Sequence, residues 1–89
     1  MTKTQRKRRS GIFKRNKSLV FHMNAAVYGK LTCECCKLAP LRRNLAGETI
    51  MTSVTATVDH IIDLCQGGTH ELNNLQVLCF DCNNKKSNS

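Results

Sequence analysis

This sequence predicts a small α+β domain, on three observations: a helical pattern near the start, a β-branched stretch in the middle, and two cysteine pairs of equal spacing. The chain has 89 residues, six cysteines, three phenylalanines and no tryptophan. A chain this short, with so few large aromatic residues, buries too little apolar surface to be stable unaided. A structural metal or disulfides are therefore expected.

The first 17 residues form a basic arm with no acidic residue. It contains eight cations, which are Lys3, Arg6, Lys7, Arg8, Arg9, Lys14, Arg15 and Lys17. Residues 18–89 balance six Lys or Arg against six Asp or Glu, so the entire formal charge of +8 lies in the arm. Such a block is typical of a disordered segment that binds a polyanion, and the alternative is a solubilising tail. We therefore predict two parts, the arm (1–17) and a folded domain (18–89).

A short helix is predicted from Lys17 to Tyr28. Asn16 or Ser18 can cap its start, and Gly29 can end it. The apolar residues between follow helical spacing. We expect this helix to enlarge a small core by packing against the cysteine site.

The two cysteine pairs, Cys33-x-x-Cys36 and Cys79-x-x-Cys82, predict a zinc site with four cysteine ligands. A short turn can point both thiolates of such a pair at one ion, and two pairs complete a tetrahedron. The alternative is the disulfide framework of a secreted protein. The basic N-terminus lacks a continuous apolar stretch, so we expect no signal peptide and a reducing, cytoplasmic setting. Cys35 and Cys65 are expected to be packing residues or weakly exposed thiols.

Residues 49–62 are rich in β-branched side chains and predict a strand that ends near Asp59 and His60. Gly67 and Gly68 predict a turn. A short final helix is predicted to begin at the second cysteine pair. No segment is long enough in apolar residues to span a membrane.

Taken together, these residues resemble the HNH endonuclease family, which is built on a ββα-metal finger and often has a treble-clef-type zinc site. The resemblance runs from about Cys33 to Ser87. It rests on both cysteine pairs, Val58-Asp59-His60-Ile61-Ile62, Gly67-Gly68, Asn74-Leu75-Gln76, Asn83 and Lys86. Asn83 stands where histidine is often found, which makes this an H-N-N version, and Asp63 stands where proline is common. The resemblance points to small stand-alone forms found in phages and mobile elements.

Three residues predict the chemistry of phosphodiester cleavage. His60 can act as general base, because imidazole titrates near neutral pH. Asp59 and Asn83 offer oxygen ligands to one Mg²⁺ or Mn²⁺, because hard cations prefer such donors. The zinc, closed off by four thiolates, would have a structural role only.

The resemblance implies further roles at matching positions. Asn74 would tie the loop after His60 to the backbone, and Lys85 and Lys86 would contact phosphate. His70 is expected to be a surface or loop-bracing histidine rather than a second base. The products would have 5′-phosphate and 3′-hydroxyl ends.

DNA is the expected partner. The predicted contacts in the arm are Arg6, Lys7, Arg8, Arg9, Lys14 and Arg15, which would bind phosphates without reading sequence. Since one active site cuts one strand, double-strand cleavage would need a homodimer, a partner protein or two encounters. The alternative function is a zinc-finger nucleic-acid-binding module that does not cleave, but such a module has no need for Asp59, His60, Asn74 and Asn83 together.

Overall fold

The computed structural model describes residues 3–45 and 47–87, without the side chains of residues 3–10. Its helices are α1 (Lys3–Tyr28) and α2 (Phe80–Ser87), and its strands are β1 (Ala56–His60) and β2 (Leu75–Cys79). Two single 3₁₀ turns, Leu64–Gln66 and Leu72–Asn74, lie in the connection between the strands. This order confirms the predicted small α+β class.

Helix α1 is much longer than predicted. It has 26 residues and begins at Lys3, so the predicted start at Lys17 was wrong, and residues 3–16, predicted to be part of a disordered arm, lie in the helix. This segment contains no proline and is rich in Lys and Arg, both of which favour helix. Phe13 packs against the core of the domain, and this tertiary contact could not be predicted from the charge of the segment. The helix ends where predicted, at Gly29 with φ +80°.

The sheet is one antiparallel hairpin. Ala56 pairs with Cys79 and His60 pairs with Leu75, so the end of β1 lies beside the start of β2. Strand β1 is shorter than the predicted β-branched stretch, because residues 49–54 form loop and turn. Thr55 adds only an isolated parallel bridge to Arg42.

The core lies between α1 and β2. Val77 is fully buried at the centre of β2, and Val20 and Phe21 of α1 pack in the same cluster. Asn24 of α1 donates through Nδ2 to the Thr32 carbonyl (2.9 Å) and accepts from the Thr32 N–H (2.8 Å). This pair of hydrogen bonds joins α1 to the segment that carries the first cysteine pair.

Helix α2 begins at Phe80, directly after β2 and within the second cysteine pair, where a short final helix was predicted. Asp81 lies in its first turn, and Lys85 and Lys86 lie in its last turn, where each charge suits the helix dipole. Gly68 is required by packing, since a Cβ there would lie 1.8 Å from the Ile62 carbonyl oxygen. Among the helices in residues 3–45 and 47–87, none combines the length and apolar character needed to cross a membrane.

Candidate active site and metal centre

The four predicted zinc ligands converge on one point. The Sγ atoms of Cys33, Cys36, Cys79 and Cys82 all lie within 4.8 Å of one another. The Cys36 and Cys79 sulfurs are 3.8 Å apart, which is the edge length of a tetrahedron with Zn–S bonds of about 2.3 Å. The group could therefore hold a metal ion such as zinc.

Backbone amides support the first cysteine pair. The Lys37 N–H donates to the Cys33 carbonyl (3.0 Å), and the Cys36 N–H donates to Cys33 Sγ (3.4 Å). Burial would raise the pKa of the Cys33 thiol, but hydrogen bonds from backbone N–H groups outweigh it and lower the pKa to about 6. The thiolate is the form that binds metal, so a lowered pKa at Cys33 suits a metal ligand.

Glu34 fastens the first pair to the sheet. Its N–H donates to the Val77 carbonyl (2.8 Å), and its carboxylate accepts from the Val77 N–H (2.6 Å). Val77 lies two residues before Cys79, so this clasp brings the two cysteine pairs together. Sequence reasoning missed Glu34, since one acid inside a cysteine turn has no distinguishing spacing.

The end of β1 presents Asp59 and His60 to opposite faces of the hairpin, as alternation along a strand requires. Asp59 faces α2, where its carboxylate accepts from Lys86 Nζ and from Gln76 Nε2 (2.9 Å). Lys86 also donates to the His60 carbonyl (2.8 Å). Lys86, which was expected to contact phosphate, thus contacts the side chain of Asp59 and the backbone of His60.

Asn83 lies on the same surface of α2 as Lys86, one turn before it. Its Nδ2 donates to the Thr57 hydroxyl (2.9 Å), and Thr57 precedes Asp59 by two residues on the same face of β1. The amide oxygen of Asn83 is left as the group that can ligate a cation. A carboxylate and an amide oxygen on facing elements suit a hard divalent ion.

Asp63 lines the same open cleft as Asp59 and Lys86. It occupies the position where the sequence departs from the expected proline. The cleft therefore contains a second carboxylate, in a place where it adds negative charge for a cation to balance.

His60 faces α1 and is half-buried there. The Phe13 ring stacks on it with centroids 5.2 Å apart and an interplanar angle of 20°. His60 Nε2 lies 3.0 Å from Nδ1 of His70. Burial lowers the pKa of His60, and the neighbouring His70 lowers it further, against the opposing effect of Asp59 and Asp63. A lowered pKa keeps the imidazole neutral at pH 7, as a proton acceptor must be.

Asn74 connects the loop after His60 to the start of β2. Its Oδ1 accepts from the Ile62 N–H (2.8 Å), and its Nδ2 donates to the carbonyls of Ile62 (3.0 Å) and Thr69 (2.8 Å). Its own carbonyl accepts from the Ile61 N–H (2.8 Å). One buried side chain thus ties both ends of the loop, on the residues that directly follow His60.

Replacing Asn74 with alanine is expected to lower the free energy of unfolding by at least about 2 kcal/mol. The substitution removes three hydrogen bonds to the backbone of Ile62 and Thr69, and the loss of each costs roughly 0.5–1.5 kcal/mol. Urea unfolding of the zinc-loaded protein measures this, with exposed Asn73→Ala as a control expected to change the value by less than about 0.5 kcal/mol. Equal stabilities of the two variants would contradict the bracing role.

The remaining predicted DNA contacts are dispersed. Lys85 is exposed on α2, and Lys14 and Arg15 are exposed on α1 beside Phe13. The side chains of Arg6, Lys7, Arg8 and Arg9 lie outside the described residues.

The structure brings Asp59, His60, Asn74 and Lys86 to one end of the hairpin. Asn83 contacts Thr57 nearby.

Comparison with known proteins identifies one family. A model of the HNH endonuclease family matches residues 33–89, which is the part that contains both cysteine pairs, the hairpin and α2. No curated protein and no solved structure matches the chain significantly.

Proposed function

Because the chain belongs to the HNH endonuclease family, whose substrate is DNA, we propose that it is a metal-dependent endonuclease that hydrolyses DNA phosphodiester bonds. The observation that carries the proposal is the end of β1, where Asp59 contacts Lys86 of α2 and the adjacent residue His60 is held by Phe13 and His70. Phosphodiester cleavage needs a proton acceptor and positive charge that balances the charge developing on the phosphate, and these residues offer an imidazole, a cation ligand and a lysine.

His60 is the proposed general base. It removes a proton from the attacking water while its lowered pKa keeps the ring neutral before reaction. Phe13 restricts the ring to one plane, and Asn74 holds the loop that follows it. These contacts keep the imidazole aimed without a conformational change at the moment of reaction.

Asp59 and Asn83 are the proposed ligands of a catalytic Mg²⁺ or Mn²⁺. When bound, such an ion supplies positive charge for the developing negative charge on the phosphate. Gln76 orients the Asp59 carboxylate through its 2.9 Å hydrogen bond. Lys86 lies beside the same carboxylate, within reach of a phosphate that enters the cleft, and Lys85 extends the positive surface along α2.

The four cysteines are the proposed ligands of a structural zinc. Four sulfurs complete a tetrahedron and leave no position for water, so this ion would fold the domain without taking part in hydrolysis. It would also fix Asn83, which directly follows Cys82. We also propose a reducing, cytoplasmic setting, in which thiols stay available as metal ligands.

Replacing Asp59 with asparagine tests the cation site. The variant should need a higher Mg²⁺ concentration than the parent for half-maximal cleavage of an end-labelled duplex, because a neutral amide binds a divalent cation less tightly. Asp81→Asn, an exposed acid in the first turn of α2, serves as the matched control and should follow the parent curve. Superimposable curves for Asp59→Asn and the parent would remove Asp59 from the site.

Products with 5′-phosphate and 3′-hydroxyl ends are expected.

The basic start of α1 is proposed to supply sequence-independent affinity. If about six of the cations at positions 6–9, 14 and 15 neutralise phosphates, the log–log salt slope on duplex DNA should be near −5. Changing Arg6, Lys7, Arg8 and Arg9 together to glutamine should reduce the magnitude of that slope by about 3 to 4.

Fluorescence anisotropy across a salt series measures the slope. These four residues precede Phe13, so the substitution leaves the contact with His60 in place. Lys30→Gln, an exposed cation beyond the other end of α1, is the control and should leave the slope unchanged. An unaltered slope in the fourfold variant would mean that this segment does not contact phosphate.

A further inference from the structure

His70 lies directly against the proposed general base. The two rings meet edge to edge, with His60 Nε2 3.0 Å from His70 Nδ1. Their centroids are 5.1 Å apart, and Phe13 covers both at 5.2 Å and 5.1 Å. The sequence predicted only a surface or loop-bracing histidine at this position.

The contact joins Nε2 of one ring to Nδ1 of the other, and this combination favours one arrangement of the two protons. A neutral histidine side chain prefers to carry its proton on Nε2, and the hydrogen bond at one nitrogen decides which form is present. If His60 donates from Nε2 to His70 Nδ1, both rings are in that preferred form. The reverse bond would force both rings into the less favoured Nδ1–H form. The contact therefore favours Nε2–H on His60.

His70 is itself held on both sides. Its carbonyl accepts from Asn16 Nδ2 of α1 (2.7 Å), and the preceding Thr69 carbonyl accepts from Asn74 Nδ2 (2.8 Å). Thus α1 and the start of β2 both anchor the segment. A support fixed in this way can hold a neighbouring ring in one orientation.

We propose that His70 is a positioning residue that accepts the Nε2–H of His60 and keeps Nδ1 of His60 as the nitrogen that takes the proton from water. Its kinetic consequence rests on the proposed function, in which His60 is the base. The water proton adds to His60 Nδ1, the Nε2–H bond to His70 stays intact, and the imidazolium forms with no proton passing to His70.

Two substitutions test the aromatic ring of His70 and its acceptor nitrogen separately. His70→Phe keeps an aromatic ring against Phe13 and His60 but removes the acceptor. His70→Asn loses the ring but places an oxygen on the same carbon that carries Nδ1 in histidine. His22→Phe, an exposed position on α1, is the matched control.

The first readout is the proton position on His60, measured by ¹⁵N-detected NMR of histidine-labelled, zinc-loaded protein at a pH where the rings are neutral. The parent, His22→Phe and His70→Asn proteins should show His60 with its proton on Nε2, whereas His70→Phe should show a mixture of both forms. A parent protein with the His60 proton on Nδ1 would overturn the proposal, whatever the variants do.

The second readout is cleavage. His70→Phe should lower the maximal single-turnover rate about 10- to 100-fold, the usual effect of removing a group that orients a functional histidine, with DNA affinity unchanged. His70→Asn should recover most of that loss. An equal rate in His70→Phe and the parent overturns the positioning role.

The proposal and the function on which it rests can fail separately. If His60→Ala cleaves as fast as the parent while the NMR shows Nε2–H on His60, the function proposed for His60 is wrong and the histidine pair still stands. If His60→Ala is inactive but His70→Phe is fully active, only the role of His70 is wrong.

Discussion

Replacing Cys79 with serine is expected to abolish zinc binding and unfold the domain. Cys79 joins β2 to α2, is almost fully buried, and lies 3.8 Å from the Cys36 sulfur. A structural zinc contributes on the order of 10–16 kcal/mol to small zinc domains, and a domain of this size has a net stability of about 5–15 kcal/mol. Losing one of four thiolates should therefore remove most of the stability. Circular dichroism and metal analysis of the purified protein measure both effects.

Two other cysteines provide matched controls for that experiment. Cys35 and Cys65 are exposed and lie outside the four-sulfur group. Cys35→Ser and Cys65→Ser should retain one zinc per chain and the parent spectrum. A Cys79→Ser protein that folds and holds a full equivalent of zinc would show that the four cysteines are not the ligand set.

Replacing His60 with alanine is expected to lower the single-turnover cleavage rate about 10²- to 10⁴-fold, the usual contribution of general acid–base catalysis. Zinc content should be unchanged, because the ring contacts Phe13 and His70 rather than the cysteine group. DNA affinity should also persist, since it is assigned to the cations. Rapid-quench kinetics on an end-labelled duplex, alongside anisotropy on the same duplex, separate chemistry from binding.

His22→Ala is the control for His60→Ala, because it removes an exposed histidine of α1. It should cleave like the parent. Parental cleavage by His60→Ala would exclude His60 as the base. Loss of both cleavage and DNA binding would instead indicate that the substitution disturbed the interface.

Patterns that are local in sequence were predictable. The ligand set of the cysteine site follows from two equal spacings, and the structure brings those four sulfurs together. The start of α2 at the second pair, with Asp81 in the first turn, was also predictable because capping and charge at a helix end are local signals.

Features that depend on packing were not predictable. The charge of residues 3–17 indicates a solvent-exposed segment. However, Phe13 in this segment packs against His60 and His70, which lie about fifty positions further along the chain. The same packing creates the contact between His60 and His70. A lone phenylalanine and a loop histidine have no spacing that connects them, so only the crossing of α1 over the end of the hairpin reveals the pair.

The separation of Asp59 from His60 was foreseeable only in part. Strand alternation predicts that adjacent side chains point to opposite faces. Which face meets α2 and which meets α1 depends on the register of the hairpin, in which Asp59 pairs with Gln76. That pairing explains why Gln76 reaches the Asp59 carboxylate, a contact that no motif indicated.

The most direct test of metal-dependent cleavage is conversion of supercoiled plasmid by the zinc-loaded protein, with Mg²⁺ or Mn²⁺ added or omitted. Omission is preferable to a chelator, which would also remove zinc. We predict nicked or linear DNA only when the divalent ion is added. Intact supercoiled DNA with every metal, under conditions where anisotropy shows the DNA to be bound, would contradict the account and identify a nucleic-acid-binding module that does not cleave.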